Sequence, residues 1–199
     1  MNEMDEASAT RRSDLLARAV RAIEGLCAGV GQLVAWCTLA MVLLTFVVVV
    51  LRYQFEFGRI WMQELSTWMH GLVFLLAAAY TLQLDEHVRV DLFYRRMSER
   101  QRALVDLSGV LTLLLPVAGF LLWSTWPYAV ASWVRQESSR ATDGLPFPFV
   151  PLAKSALVLM AILVILQGLA MALRAVATLQ GRPLERPRAA PAQASHVQS

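Results

Sequence analysis

Positions 60–84 read IWMQELSTWMHGLVFLLAAAYTLQL, 25 consecutive residues of which only Glu64 carries a formal charge. As a helix this segment measures about 37 Å at ~1.5 Å per residue, enough to cross a hydrocarbon core of ~30 Å. A soluble fold would have to hide it on every side, and it is one of several such runs. Of the 199 residues, 57% are hydrophobic and 17% charged, against roughly 45–50% and 25% in soluble domains. The chain therefore reads as an all-α integral membrane protein.

Four apolar runs suit crossings, at about 30–51, 60–84, 104–134 and 152–173. The first is too long for the core of a signal peptide, and Arg52 stands where a cleavage site would need small residues, so it is expected to stay as a span. The short link 52–59 forces the first two spans into a tight antiparallel hairpin. The third run holds Pro116 and Pro127 and is longer than one bilayer needs. It must either tilt or break at Pro127. Trp123, Trp126, Tyr128 and Trp133 gather at its far end, as aromatic anchors do at headgroup level. The link 135–151, RQESSRATDGLPFPFVP, is rich in proline and is expected to be extended. Lys154 follows, close enough to the start of the fourth span to snorkel.

The segments outside the spans differ in character. Residues 1–24 form a polar N-terminal tail, 25–175 the four-helix membrane domain, and 176–199 a tail whose Pro-, Ala- and Gln-rich part has no apolar face to bury and is expected to be disordered. Between the second and third spans, 85–103 places Val90, Phe93 and Met97 at helical spacing among five arginines, which predicts a short amphipathic helix at the membrane surface. One side of the bilayer collects Arg11, Arg12, Arg18, Arg21, Arg89, Arg95, Arg96, Arg100, Arg102, Arg174, Arg182, Arg186 and Arg188. The other receives Arg52, Arg59, Arg135, Arg140 and Lys154. By the positive-inside rule both termini and the amphipathic loop are expected in the cytoplasm.

Few residues inside the spans carry chemistry. Glu64 lies about one turn into the second span, where a carboxylate needs water or a partner. Arg52 and Arg59, across the hairpin turn, are its expected partners, and the alternative is that Glu64 faces another protein. His70 lies on a different face from Glu64 and is expected to hydrogen-bond a neighbouring helix, as is Gln167. Cys27 and Cys37 are separated by about 15 Å of helical rise and cannot bridge each other. No zinc spacing or CxxC is present. The spans also lack the paired Gly/Pro-broken segments that bind ions and substrate in transporter cores, so the chain is not expected to translocate anything alone.

Taken together and in order, these residues resemble the DctQ-like small transmembrane subunit of tripartite ATP-independent periplasmic (TRAP) transporters. The resemblance covers about residues 25–175. Arg52 resembles the arginine that closes the family's first span; Trp61, Glu64 and Leu65 resemble the opening of its second; 76–79 resembles its small-residue stretch. His87, Val90 and Asp91 resemble the family's approach to the cytoplasmic loop. The family often has two adjacent acidic residues where this chain has Gln63 and Glu64, and a glycine among 77–79, where this chain has alanines. The segments LLPVAGFLLWSTWPYAVASW and GLPFPFVPLAKSALVL resemble the mannitol, chloroaromatic or 2-oxo acid branch.

The resemblance implies a non-enzymatic scaffold subunit of the bacterial inner membrane without a cofactor. Its partners would be a large permease subunit driven by sodium, a periplasmic binding protein that captures an organic acid, and membrane lipids, with no nucleic acid. Arg52, Arg59, Trp61, Glu64, His87, Asp91, Arg135, Arg140 and Lys154 are the candidate partner contacts. Two other readings stay open on the residues alone. One is a four-helix membrane redox protein of thiol or haem type, the other a stand-alone channel.

Overall fold

The computed structural model describes residues 3–84 and 97–181, with side chains from Asp14 onward. All regular structure in it is helical: α1 (Glu3–Gln54), α2 (Ile60–Gln83), α3 (Glu99–Val134) and α4 (Phe149–Leu179). Each of the four contains a window long and apolar enough to cross a membrane. The amphipathic surface helix expected at 85–103, with His87 and Asp91, falls mostly outside the described residues. Its last part, from Glu99 on, is already the first turn of α3. The end of the C-terminal tail, 182–199, also lies outside them.

Helix α1 begins at Glu3, well ahead of its first apolar run. Its 52 residues span about 78 Å, more than twice a hydrocarbon core. The polar segment before residue 25 thus continues the first span as helix. Helix α3 starts on a capping box: the Gln101 N–H donates to Ser98 Oγ at 3.4 Å and the Ser98 N–H donates to Gln101 Oε1 at 2.9 Å.

The prolines of α3 do not end it. Pro116 has no N–H to give and its ring would strike the carbonyl four residues back. The turn before it widens into a π-helix over Val110–Leu114, with the Leu115 N–H reaching the Val110 carbonyl. Pro127 sits inside the same helix without breaking it. The expected alternatives for this long run therefore resolve in favour of one continuous helix.

Helix α4 is the hub. It packs against α1, α2 and α3, while α3 packs mainly on α4 and α1 mainly on α2 and α4. Accordingly 39% of the most apolar window of α4 is buried within the chain, against 6–11% for the other three. Small side chains make this possible, with Ala156, Ala161, Gly168, Ala170, Ala175 and Ala177 all buried. Lipid tails are as apolar as leucine, so close backbone approach and dispersion, rather than exclusion of water, favour such contacts.

Two glycines mark the closest approaches. A Cβ on Gly168 would lie 2.4 Å from Leu114 Cδ2, in the π-helical turn of α3, and one on Gly31 would lie 2.7 Å from the Tyr80 ring of α2. Between them runs a core of Cys27, Val34, Leu76, Ala79 and Leu163, flanked by Ile23 and Val30. The α1 members recur at 3–4 residue spacing, a single stripe facing α2 and α4.

Candidate functional site

The loop between α3 and α4 is bound to the start of α2, and the binding centre is Glu64. Ser139 Oγ donates to Glu64 Oε1 at 2.6 Å and the Leu145 N–H donates to Glu64 Oε2 at 2.8 Å. Each carboxylate oxygen thus accepts from one part of the same loop. Arg59, the N-cap of α2, pairs with Asp143 at 3.2 Å and lies over the Phe57 ring at 5.5 Å. No side chain caps α2; instead the Trp61 N–H donates to the Asp143 carbonyl at 3.0 Å. An orphan amide of the helix start is thereby satisfied from the opposite hairpin.

The loop is shaped to meet these groups. Helix α3 ends in a Schellman turn: the Glu137 N–H donates to the Ser132 carbonyl and the Gln136 N–H to that of Trp133, with Gln136 at φ 49°. Asp143 also holds a left-handed backbone, φ 65°. The loop then closes on itself through the Ser139 N–H and the Leu145 carbonyl, 2.9 Å. Gly144 is required here, because a Cβ at that position would stand 2.4 Å from Ser139 Oγ, the hydroxyl that holds Glu64.

A second cluster fixes the loop to α4. Lys154 donates to Glu137 Oε2, which also accepts from Ser132 Oγ at 2.8 Å. The Lys154 ammonium lies 4.1 Å from the centre of the Tyr128 ring. Trp133 Nε1–H donates to Ser155 Oγ at 2.9 Å, and its ring meets Phe147 edge-on at 5.9 Å. The hydrogen bond from Lys154, with that from Ser132 and the nearby ammonium charge, holds the Glu137 carboxyl below the usual carboxylate range.

Several sequence expectations change here. Glu64 is not paired with Arg52 or Arg59: Arg59 turns to Asp143, and Arg52 is exposed in the last turn of α1 without a hydrogen bond or ion pair among the described residues. Glu64 faces the 135–148 loop, so it joins two hairpins instead of bracing one. Lys154 does not snorkel free but is engaged by Glu137 and Tyr128. Arg135, the C-cap of α3, and Arg140 in the loop are exposed.

His70 is exposed on α2 with no hydrogen bond to a neighbouring helix among the described residues, whereas Gln167 is fully buried and its Oε1 lacks a partner there. Trp123, Trp126, Tyr128 and Trp133 all lie on exposed surface of α3, and an open apolar recess runs between Leu122, Trp123, Ser124, Trp126 and Pro127. Cys27 and Cys37 are free thiols. No cluster of His, Cys, Asp and Glu able to hold a metal occurs among the described residues.

At the opposite end of the bundle, Glu24 of α1 and Arg174 of α4 form an ion pair whose side chains are only 8% and 14% exposed. This contact places the start of the first span and the end of the last on the same side. Glu24, Glu137, Ser139 and Asp143 were not singled out from the sequence, and Arg174 entered only in the arginine bias. The available signal was electrostatic: each acid shares a side of the bilayer with the base it meets.

The family model for the DctQ component of tripartite ATP-independent periplasmic transporters matches residues 41–178. The chain belongs to this family. A similar curated protein is the C4-dicarboxylate TRAP transporter small permease protein DctQ of Vibrio cholerae serotype O1, 29% identical over 116 residues. That alignment covers 58% of this chain and 49% of the relative, so the chain spans about half the length of the curated relative it matches. No solved structure matches the chain. The DctQ family consists of transporter components and is not an enzyme family. With its four membrane-length helices the chain is a multi-pass inner-membrane TRAP subunit. The Glu64 clamp, built by α2 and the α3–α4 loop, lies wholly within the matched region.

Proposed function

We propose that this DctQ-family chain is a fixed scaffold that supports a large permease subunit in sodium-driven, binding-protein-dependent uptake of an organic acid. The observation that carries this reading is the inter-hairpin clamp on Glu64, which ties the α1–α2 and α3–α4 hairpins together at one end. A scaffold beside a moving transport unit must resist shear between its own parts; Glu64 and Arg59–Asp143 oppose it between the hairpins, and Glu137–Lys154 holds the loop to α4. Both termini lie in the cytoplasm by the arginine bias, so the clamped end faces the periplasm. Since Arg59, Glu64 and Lys154 are engaged within the chain, docking of the binding protein falls to Arg52, Arg135, Arg140 and Trp61, all exposed. His87 and Asp91, which follow α2 in the sequence, are assigned to the permease side. The α3–α4 sequence likeness supports the 2-oxo acid, mannitol or chloroaromatic branch.

The test is affinity purification of the tagged chain from native membranes in mild detergent, with mass spectrometry of its companions, followed by uptake assays in the recovered system. A much larger polytopic permease recovered in equal amount is the expected result. Reversal of Arg135 and Arg140 to glutamate should lower uptake several-fold without loss of the permease. Recovery of the chain alone would overturn the scaffold reading, and unchanged uptake in the double reversal would overturn the docking role.

A further inference from the structure

The outward face of α2 is the wrong chemistry for lipid. Ile60, Gln63, Thr67, His70 and Phe74 are exposed at 3–4 residue spacing, one stripe that points away from the other helices of the chain. Its depth can be read from the α1–α2 pairing. Thr45 and Ser66 share a hydrogen bond of 2.8 Å, and Gly31 lies against Tyr80. Interpolating between these two levels sets His70 beside Met41, the middle of the 30–51 apolar run.

The small hydroxyls near this stripe are satisfied by their own helices: Thr67 donates to the Gln63 carbonyl and Thr45 to that of Met41. The imidazole of His70 and the side-chain amide of Gln63 have no hydrogen bond among the described residues. Hydrocarbon offers them none, so exposure to lipid would leave both groups unpaired, an arrangement that spanning segments avoid. The exposed face of α3 behaves otherwise. Ser108, Thr112 and Ser124 there all donate to carbonyls of their own helix, and Leu113, Val117, Phe120 and Trp123 make the remainder apolar.

We infer that the α2 stripe is the seat of a transmembrane helix from the large permease subunit. That helix presents a hydrogen-bonding side chain at the depth of His70 and another near Gln63, while the exposed face of α3 meets lipid. The inference rests on the proposed scaffold role and adds to it the face that binds. Phe74, 73% exposed at the deep end of the stripe, supplies the apolar contact below the polar pair.

The experiment places a photo-crosslinking side chain at Thr67 or Phe74, and in separate variants at Leu113 or Phe120 of α3, in membranes that hold the whole transporter. Positions 67 and 74 are expected to form adducts with a larger polytopic protein, and positions 113 and 120 to form no protein adduct. In parallel, H70L should reduce permease recovery roughly 3- to 15-fold, the range of intramembrane hydrogen bonds. H70Q should retain most of it. Because leucine suits lipid better than histidine, H70L does not impair insertion, and loss of permease in that variant reports the interface. Protein adducts confined to α3, adducts to a second copy of this chain, or none from 67 and 74 while the permease still co-purifies would overturn the face assignment alone. Failure of the unsubstituted chain to recover any permease would overturn the scaffold reading with it.

Discussion

At the scale of single residues, the structure turns on carboxylates that hold backbone. Glu64 accepts one hydroxyl and one amide from a loop 75–81 positions away, and charge-assisted bonds of this kind are shorter and stronger than neutral ones. Gly144 protects that arrangement, since a methyl group there collides with Ser139. Gly144→Ala is therefore expected to copy Glu64→Ala: in both, hydrogen exchange of the 136–148 amides should rise about tenfold or more, as local opening becomes easier. Unchanged exchange in Gly144→Ala would show that the loop does not depend on the Ser139 contact. Glu137 adds a pH dependence. Its carboxyl titrates below the ordinary range because Lys154 and Ser132 bond the charged form. A depressed carboxylate stabilises the fold above its unfolded pKa, and that contribution is lost as pH falls through the folded value. Loop protection should thus persist through the ordinary carboxylate range and fall only below it, and in Lys154→Gln the fall should begin at higher pH. Exchange measured against pH in the two proteins checks this; identical onsets would contradict it.

At the scale of elements, what was legible in the sequence was apolar length. Four helices of membrane length appear over the apolar runs, because roughly 20 apolar residues can satisfy their backbone in hydrocarbon only as helix. Hydropathy marks the part of a helix inside the membrane and not the helix itself. For that reason the extension of α1 back to Glu3 was hidden in a polar segment. The fate of Pro116 and Pro127 was open for a related reason: a π-turn that absorbs a proline leaves no mark in composition. The partners of Glu64 were misread toward Arg52 and Arg59 because proximity along the chain is a poor guide once two hairpins fold side by side. Small residues carried readable information only after the packing was known. Gly31→Ala would push the Tyr80 ring, and overpacking of this kind costs about 1–3 kcal/mol. The expected outcome is a thermal midpoint for the detergent-solubilised protein clearly below that of Gly71→Ala, where a Cβ meets nothing within 4 Å. Equal midpoints would mean that α1 and α2 do not pack through Gly31.

At the scale of the whole molecule, a central α4 carries two flanking arrangements, the α1–α2 pair on one side and α3 on the other. The Glu24–Arg174 pair closes one end of this assembly and the Glu64 clamp the other. Removing one member of a largely buried ion pair leaves an uncompensated charge, so such a closure resists separation more than it adds to net stability. A body fixed at both ends is what the proposed scaffold role requires. The most direct measurement is the distance between spin labels on unnatural side chains at Glu56, in the α1–α2 turn, and Thr142, in the α3–α4 loop, both exposed. It would be read in the reconstituted transporter with and without sodium and loaded binding protein, leaving Cys27 and Cys37 in place. A single narrow distribution, unchanged by either addition, is predicted. A second distance that appears with sodium or binding protein would mean that the two hairpins move against each other, and would contradict the scaffold account.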